Sequence, residues 1–163
     1  MANLCDFEMV VRGNRKDVET FRNALCQIGT TYMGRGADLM SEEYEDCEDG
    51  CRAVFRGYTK WSVEASLVRN AVDMRTNPDM WYFGEGINKE ELTFVTIWEA
   101  CKSLNLDVEI YSEEIGIGFE EHYLFKDGEL ITSDCVDFSV EIDDETGETE
   151  TVSGGFGEWE FEI

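Results

Sequence analysis

Apolar and polar residues alternate over several stretches of this chain and recur at three- and four-residue steps over two others. Cys5 to Arg12 reads CDFEMVVR, a strand pattern closed by Gly13. Asn14 follows as an N-cap, with Asp17 near the positive end of the next helix. Val18, Phe21, Leu25 and Ile28 form the apolar face of that helix. Residues 29–50 are glycine-rich and then acidic, and read as an insertion or long loop. Arg52 to Phe55 and Lys60 to Ala65 read as paired strands around a turn at Arg56-Gly57-Tyr58-Thr59. The stretch around the single proline, Pro78, is looser. Asn88 and Glu91 make a capping-box-like pair that predicts a second helix, with Phe94, Ile97, Trp98, Cys101 and Leu104 inward.

Strand patterns fill the remainder. Asp107 to Glu113 is one, and Phe119 to Phe125 and Glu129 to Thr132 flank the hairpin signal Lys126-Asp127-Gly128. Val136 to Ile142 and Glu158 to Ile163 predict two more. The order strand, helix, strands, helix, strands predicts a single α+β domain over 1–163. Two helices would cover one face of a mostly antiparallel sheet.

Side-chain alternation then sorts the late strands into faces. Val136, Phe138, Val140 and Ile142 oppose Asp137, Ser139, Glu141 and Asp143. Trp159, Phe161 and Ile163 oppose Glu158, Glu160 and Glu162, and Val108 and Ile110 oppose Asp107, Glu109 and Glu113. With the apolar sets under the helices, the carboxylates would crowd onto the other face.

Charge sharpens this picture. The chain is 42% hydrophobic and 12% aromatic, too apolar for a disordered acidic tail, yet its formal net charge is −24. Residues 1–80 hold 14 acids and 10 bases, whereas 81–163 hold 23 acids and 3 bases. A face made only for solubility mixes both signs, so the one-sided excess points to a recruited surface. Carboxylates on one strand face stand roughly 6.7 Å apart, two residue rises. That spacing suits a basic groove shaped for a nucleic-acid backbone. The candidate partner-binding residues are Asp137, Glu141, Asp143, Asp144, Glu145, Glu148, Glu150, Glu158, Glu160 and Glu162. Trp81 and Tyr82 join them, because three consecutive rings at 81–83 cannot all face inward from one strand.

Candidate chemistry adds little. Cys47 and Cys51 form a C-x3-C pair with no second ligand pair for zinc, and acidic neighbours would raise their thiol pKa. The absence of an export signal predicts reduced thiols in a cytoplasm. Asp143 to Glu150 lacks the ligand pattern of an EF-hand and reads as a strand-connecting turn. His122, the one histidine, has no nucleophile motif nearby and reads as a sheet-surface residue. There is no P-loop. The expectation is a protein that is not an enzyme and has no cofactor, no metal and no membrane span. Direct nucleic-acid binding would require Arg12, Arg52, Arg56, Lys60 and Arg69 to form one patch.

Three segments resemble a known family. MANLCDFEMVVRGNRKDVETF at the start, Gly57-Tyr58-Thr59-Lys60-Trp61, and Leu106 to Leu130 are similar to the YubB ferredoxin-like family of plasmid and phage proteins. The resemblance spans about two thirds of the chain, with Leu4 where the family prefers Trp. It implies a ferredoxin-like α+β fold with extra C-terminal strands and a mobile-element origin, and it carries over no catalytic residue. With the charge pattern, it predicts a counter-defence protein that inhibits a host nuclease, a CRISPR effector or a restriction enzyme, in the bacterial cytoplasm. The alternative is a mobile-element accessory module whose acidity is a solubility device.

Overall fold

The computed structural model describes residues 3–152 and residue 161, with the backbone alone for 139–141 and 149–152. The first strand, β1 (Leu4–Gly13), leads to helix α1 (Arg15–Leu25), whose N-cap Asn14 accepts from the Lys16 amide at 3.0 Å. Ile28 falls beyond this helix and is exposed. A short β2 (Thr31–Tyr32) precedes the hairpin of β3 (Asp38–Cys47) and β4 (Gly50–Lys60). A π-helical stretch, Ala65–Arg69, runs into α2 (Asn70–Thr76). Then come β5 (Thr93–Phe94), α3 (Ile97–Leu104), β6 (Asp107–Glu114), β7 (Phe119–Lys126) and β8 (Glu129–Asp137). A final ribbon pairs β9 (Ser139–Ile142) with β10 (Thr149–Val152).

Six strands form one sheet in the order β3-β4-β1-β6-β7-β8, antiparallel at each junction. The unit β1-α1-β3-β4-α3-β6 has the ferredoxin-like arrangement, and β7 and β8 extend it at one edge. One face buries Met9, Val11, Phe55, Val108 and Ile110 against Phe21 and Leu25 of α1 and Ile97 of α3.

Several sequence expectations are corrected. The 29–50 segment supplies β2 and the edge strand β3, not a long loop. Its strand pattern is weak because exposed carboxylates dominate it and a bulge between Leu39 and Ser41 shifts the alternation. β4 runs unbroken through Arg56–Thr59, and the predicted strand at Lys60–Ala65 gives way to a helical turn. Asn88 caps only a 3-10 turn at Lys89–Glu91. The helix itself starts later, where Thr96 and Glu99 form a capping box, and this register leaves Trp98 exposed.

The strand expected over Val136–Ile142 breaks at Phe138, whose amide donates to the Gly118 carbonyl at 2.7 Å and ends the sheet ladder. Val136 and Ile142 are exposed, so this apolar set does not lie under the helices. The strand expected over Glu158–Ile163 lies outside the described residues except for Phe161.

A candidate acidic interaction surface

Alternation predicts a continuous set of carboxylates on the sheet face opposite the helices. The centre of that face is instead apolar and closed. Val10, Val54 and Leu124 pack with Phe161, and the Arg12 guanidinium lies 4.5 Å from the Phe161 ring centre. Glu109 is fully buried there, taking the Phe161 amide at 2.8 Å and pairing with His122 Nε2 at 2.7 Å. His122 stacks on Tyr111 at 4.1 Å, so it is a half-buried partner of Glu109 and not a plain surface histidine. A carboxylate moves inward at such a position only because donors meet both of its oxygens.

Two further carboxylates are structural. Glu114 is buried and accepts from the Gly116 and Ile117 amides, which tightens the β6–β7 turn. Glu121 sits under the helices and accepts from the Val63 and Glu64 amides, the Ser112 hydroxyl and the Tyr123 hydroxyl.

The exposed carboxylates occupy the margin. Glu129, Asp134 and Asp137 are exposed on β8, the sheet edge. Asp143, Asp144, Glu145 and Glu148 are exposed in the turn between β9 and β10. That turn is well defined: Asp143 Oδ1 accepts from the Glu145 amide at 2.8 Å, and the Asp143 amide donates to the Glu148 carbonyl at 2.8 Å. It is the strand-connecting turn read from the sequence. Residues 141 and 150 stand opposite each other in the ribbon register. Glu158, Glu160 and Glu162 lie outside the described residues.

Four of the ten basic residues of the first half form described ion pairs with acids of the same half. Arg15 pairs with Glu19 and Asp46, Arg22 with Glu42, Arg56 with Glu8 and Glu43, and Arg69 with Glu64. The Arg22 pair holds the Glu42 carboxyl below its ordinary value. Arg75–Glu99 crosses into the second half. No described ion pair reaches Asp134, Asp137 or the 143–148 turn. Arg56 and Arg69 are thus occupied, and Lys60 stands at the far end of β4 from Arg52, so the five bases considered for nucleic acid do not make one patch.

The aromatic trio is split. Phe83 stacks on Phe94 at 5.1 Å, Trp81 is half-buried with the Arg35 guanidinium 4.9 Å from its ring centre, and Tyr82 is 86% exposed. Met80 beside it is 83% exposed.

All six cysteines are free thiols. Burial first, and Glu121 second, push the Cys5 thiol up to about 12. Burial also raises Cys51, with Asp46 a lesser cause, so desolvation outweighs the acidic neighbours invoked from sequence. Among the described residues no group of three or more His, Cys, Asp or Glu is placed to hold a metal ion, and no helix is long and apolar enough to cross a membrane.

Sequence reasoning missed the buried roles of Glu109, Glu114 and Glu121. The adjacent pair Glu120-Glu121 was a usable signal, since alternation must turn one of the two toward the helices.

Comparison of the chain with protein-family models, with curated proteins and with solved structures found no match.

Proposed function

We propose that this chain is a phage or plasmid counter-defence protein that binds a host nucleic-acid-handling nuclease in the bacterial cytoplasm. The target class is a CRISPR effector or a restriction enzyme, inhibited stoichiometrically by carboxylates lying where phosphates would lie. One observation carries the reading: Asp134, Asp137 and the acids of the 143–148 turn are exposed, sit on the sheet margin and its ribbon, and have no described basic partner. Unpaired charge of one sign steers a protein toward an oppositely charged groove and makes the encounter salt-sensitive. The mobile-element setting rests on the resemblance, drawn from the sequence alone, of residues 1–21, 57–61 and 106–130 to the YubB family.

The test is a bacterial-lysate pull-down washed at low and then high salt, followed by nuclease assays. The quadruple variant Asp137→Lys, Asp143→Lys, Asp144→Lys, Glu145→Lys should lose both capture and inhibition while keeping its circular dichroism spectrum. Undiminished inhibition by that variant removes the mimicry mechanism.

A second reading, a mobile-element interaction or accessory module, is favoured by the exposed Tyr82 and Met80. It expects capture that resists salt and is lost in Tyr82→Ala with Met80→Ser.

A further inference from the structure

Most arginines of this acidic chain are held by an acid or an amide, Arg35 for instance by Asn70 at 2.7 Å. Arg12 and Arg52 differ. They stand directly opposite each other on β1 and β4, on the face away from the helices, and no described ion pair involves either. Glu45 on β3 stands opposite Arg52 and Asp107 on β6 opposite Arg12, but neither forms a described ion pair with its arginine, and the two like charges opposed to each other repel. Arg12 is occupied on one side by the Phe161 ring. Arg52 has a buried Nη2 with no hydrogen-bond partner. A buried guanidinium donor without an acceptor is among the costlier unsatisfied groups, and it marks a place where an acceptor belongs.

Space for one exists. A concavity of about 220 Å³ at this end of the sheet is lined by Arg12, Gly13, Asp49, Gly50, Cys51 and Arg52. The β3–β4 hairpin end is pinned against the end of β1, since a Cβ on Gly50 would come 2.4 Å from the Gly13 carbonyl oxygen. The walls of this concavity are therefore set by close backbone packing.

We propose that Arg12 and Arg52 bind a small oxyanion, a phosphate or carboxylate group, in this concavity. Two guanidinium forks match the paired oxygens of such a group. The bound anion would set a negative charge between the two like charges, and Arg52 Nη2, shut off from solvent, would meet it once the side chain turns toward the concavity. The surrounding field selects for size. Asp49 lines the space and the chain carries −24 overall, so an extended polyanion is repelled where a single anionic group is accepted.

The experiment is a two-dimensional NMR titration of the 15N-labelled full chain with inorganic phosphate and, separately, acetate. Sodium chloride at matched ionic strength is the control. Saturable shifts at the Gly13 and Gly50 amides and at the arginine Nε groups are expected, weakened at least tenfold in Arg52→Gln and in Arg12→Gln. The probe that saturates at the lower concentration assigns phosphate or carboxylate as the ligand chemistry. Arg12 is exposed, so its variant keeps the test decisive if Arg52→Gln fails to fold. Equal shifts with chloride, saturation unaffected by both substitutions, or tighter binding of a single-stranded oligonucleotide than of phosphate would each overturn the proposal.

Discussion

At the scale of single residues, the carboxylates divide by what donates to them. Glu121 occupies a position that points under the helices, where an ionised group is costly unless each oxygen is met. It is met by the Val63 and Glu64 amides at 2.8 and 3.1 Å, in the helical turn that opens there, and by the Ser112 and Tyr123 hydroxyls at 2.8 and 2.9 Å. Amides at a helix start have no partner within the helix and carry its positive dipole end, so a carboxylate suits them better than a neutral amide. Glu121→Gln keeps the shape but turns an NH2 toward donors. It should cost about 2–4 kcal/mol, the loss of one or two charge-assisted bonds plus an unsatisfied donor. Urea unfolding reads this directly, and a loss under about 0.5 kcal/mol, the scale of an ordinary surface change, would deny the carboxylate its anchoring role. The adjacent Glu120-Glu121 pair signals that one carboxylate turns inward, but not what meets it there, because its amide partners lie 57 and 58 positions away. Alternation alone sorts apolar from polar and assumes that every acid faces water; Glu109 and Glu121 break that assumption.

At the scale of elements, what the sequence made legible depended on how local the determinants were. β1, α1 and the β7–β8 hairpin could be read because an apolar period, an Asn cap and an Asp-Gly turn each lie within their own segment. β3 could not, since it is an acidic edge strand held by register with β4 and by pairs such as Arg22–Glu42. The π-helical turn before α2 was equally hidden. Here the Ser66 carbonyl accepts the Arg35 amide at 3.0 Å from a loop that packs tightly against it. Gly34 makes that approach possible: its φ is +57°, and a Cβ there would lie 2.0 Å from the Ser66 carbonyl oxygen. Gly34→Ala should therefore destabilise by about 2–4 kcal/mol, left-handed strain plus forced displacement of the helix. Gly29 is the internal control. Its φ is +89°, but a Cβ added there would meet nothing within 4 Å, so its alanine variant should lose only about 1–2 kcal/mol from backbone strain. Thermal denaturation of the two variants ranks them. Equal losses would mean that close packing on the π turn contributes nothing.

For the whole molecule, the distribution of charge matters more than its total. Arg15, Arg22, Arg56 and Arg69 are spent on nearby acids, while Asp134, Asp137 and the 143–148 turn face solvent without described counter-charges. A surface of this kind repels itself, and the repulsion is long-ranged at low ionic strength, where the Debye length is about 30 Å at 0.01 M and about 8 Å at 0.15 M. Salt should therefore stabilise the protein, whereas a fold held by surface ion pairs would be weakened by it. Raising sodium chloride from about 0.01 to 0.15 M should raise Tm by roughly 3–8 °C, the equivalent of about 1–2 kcal/mol in a chain of this length. The quadruple lysine variant moves net charge by eight units, from −24 to −16, and should show a higher Tm at low salt with a smaller response. A flat or falling Tm in the unmodified chain would mean that the margin is already neutralised, and the premise of the mimic would go with it. If the variant gains stability and loses inhibition together, the same repulsion that weakens the isolated fold is the property that recruits a basic groove.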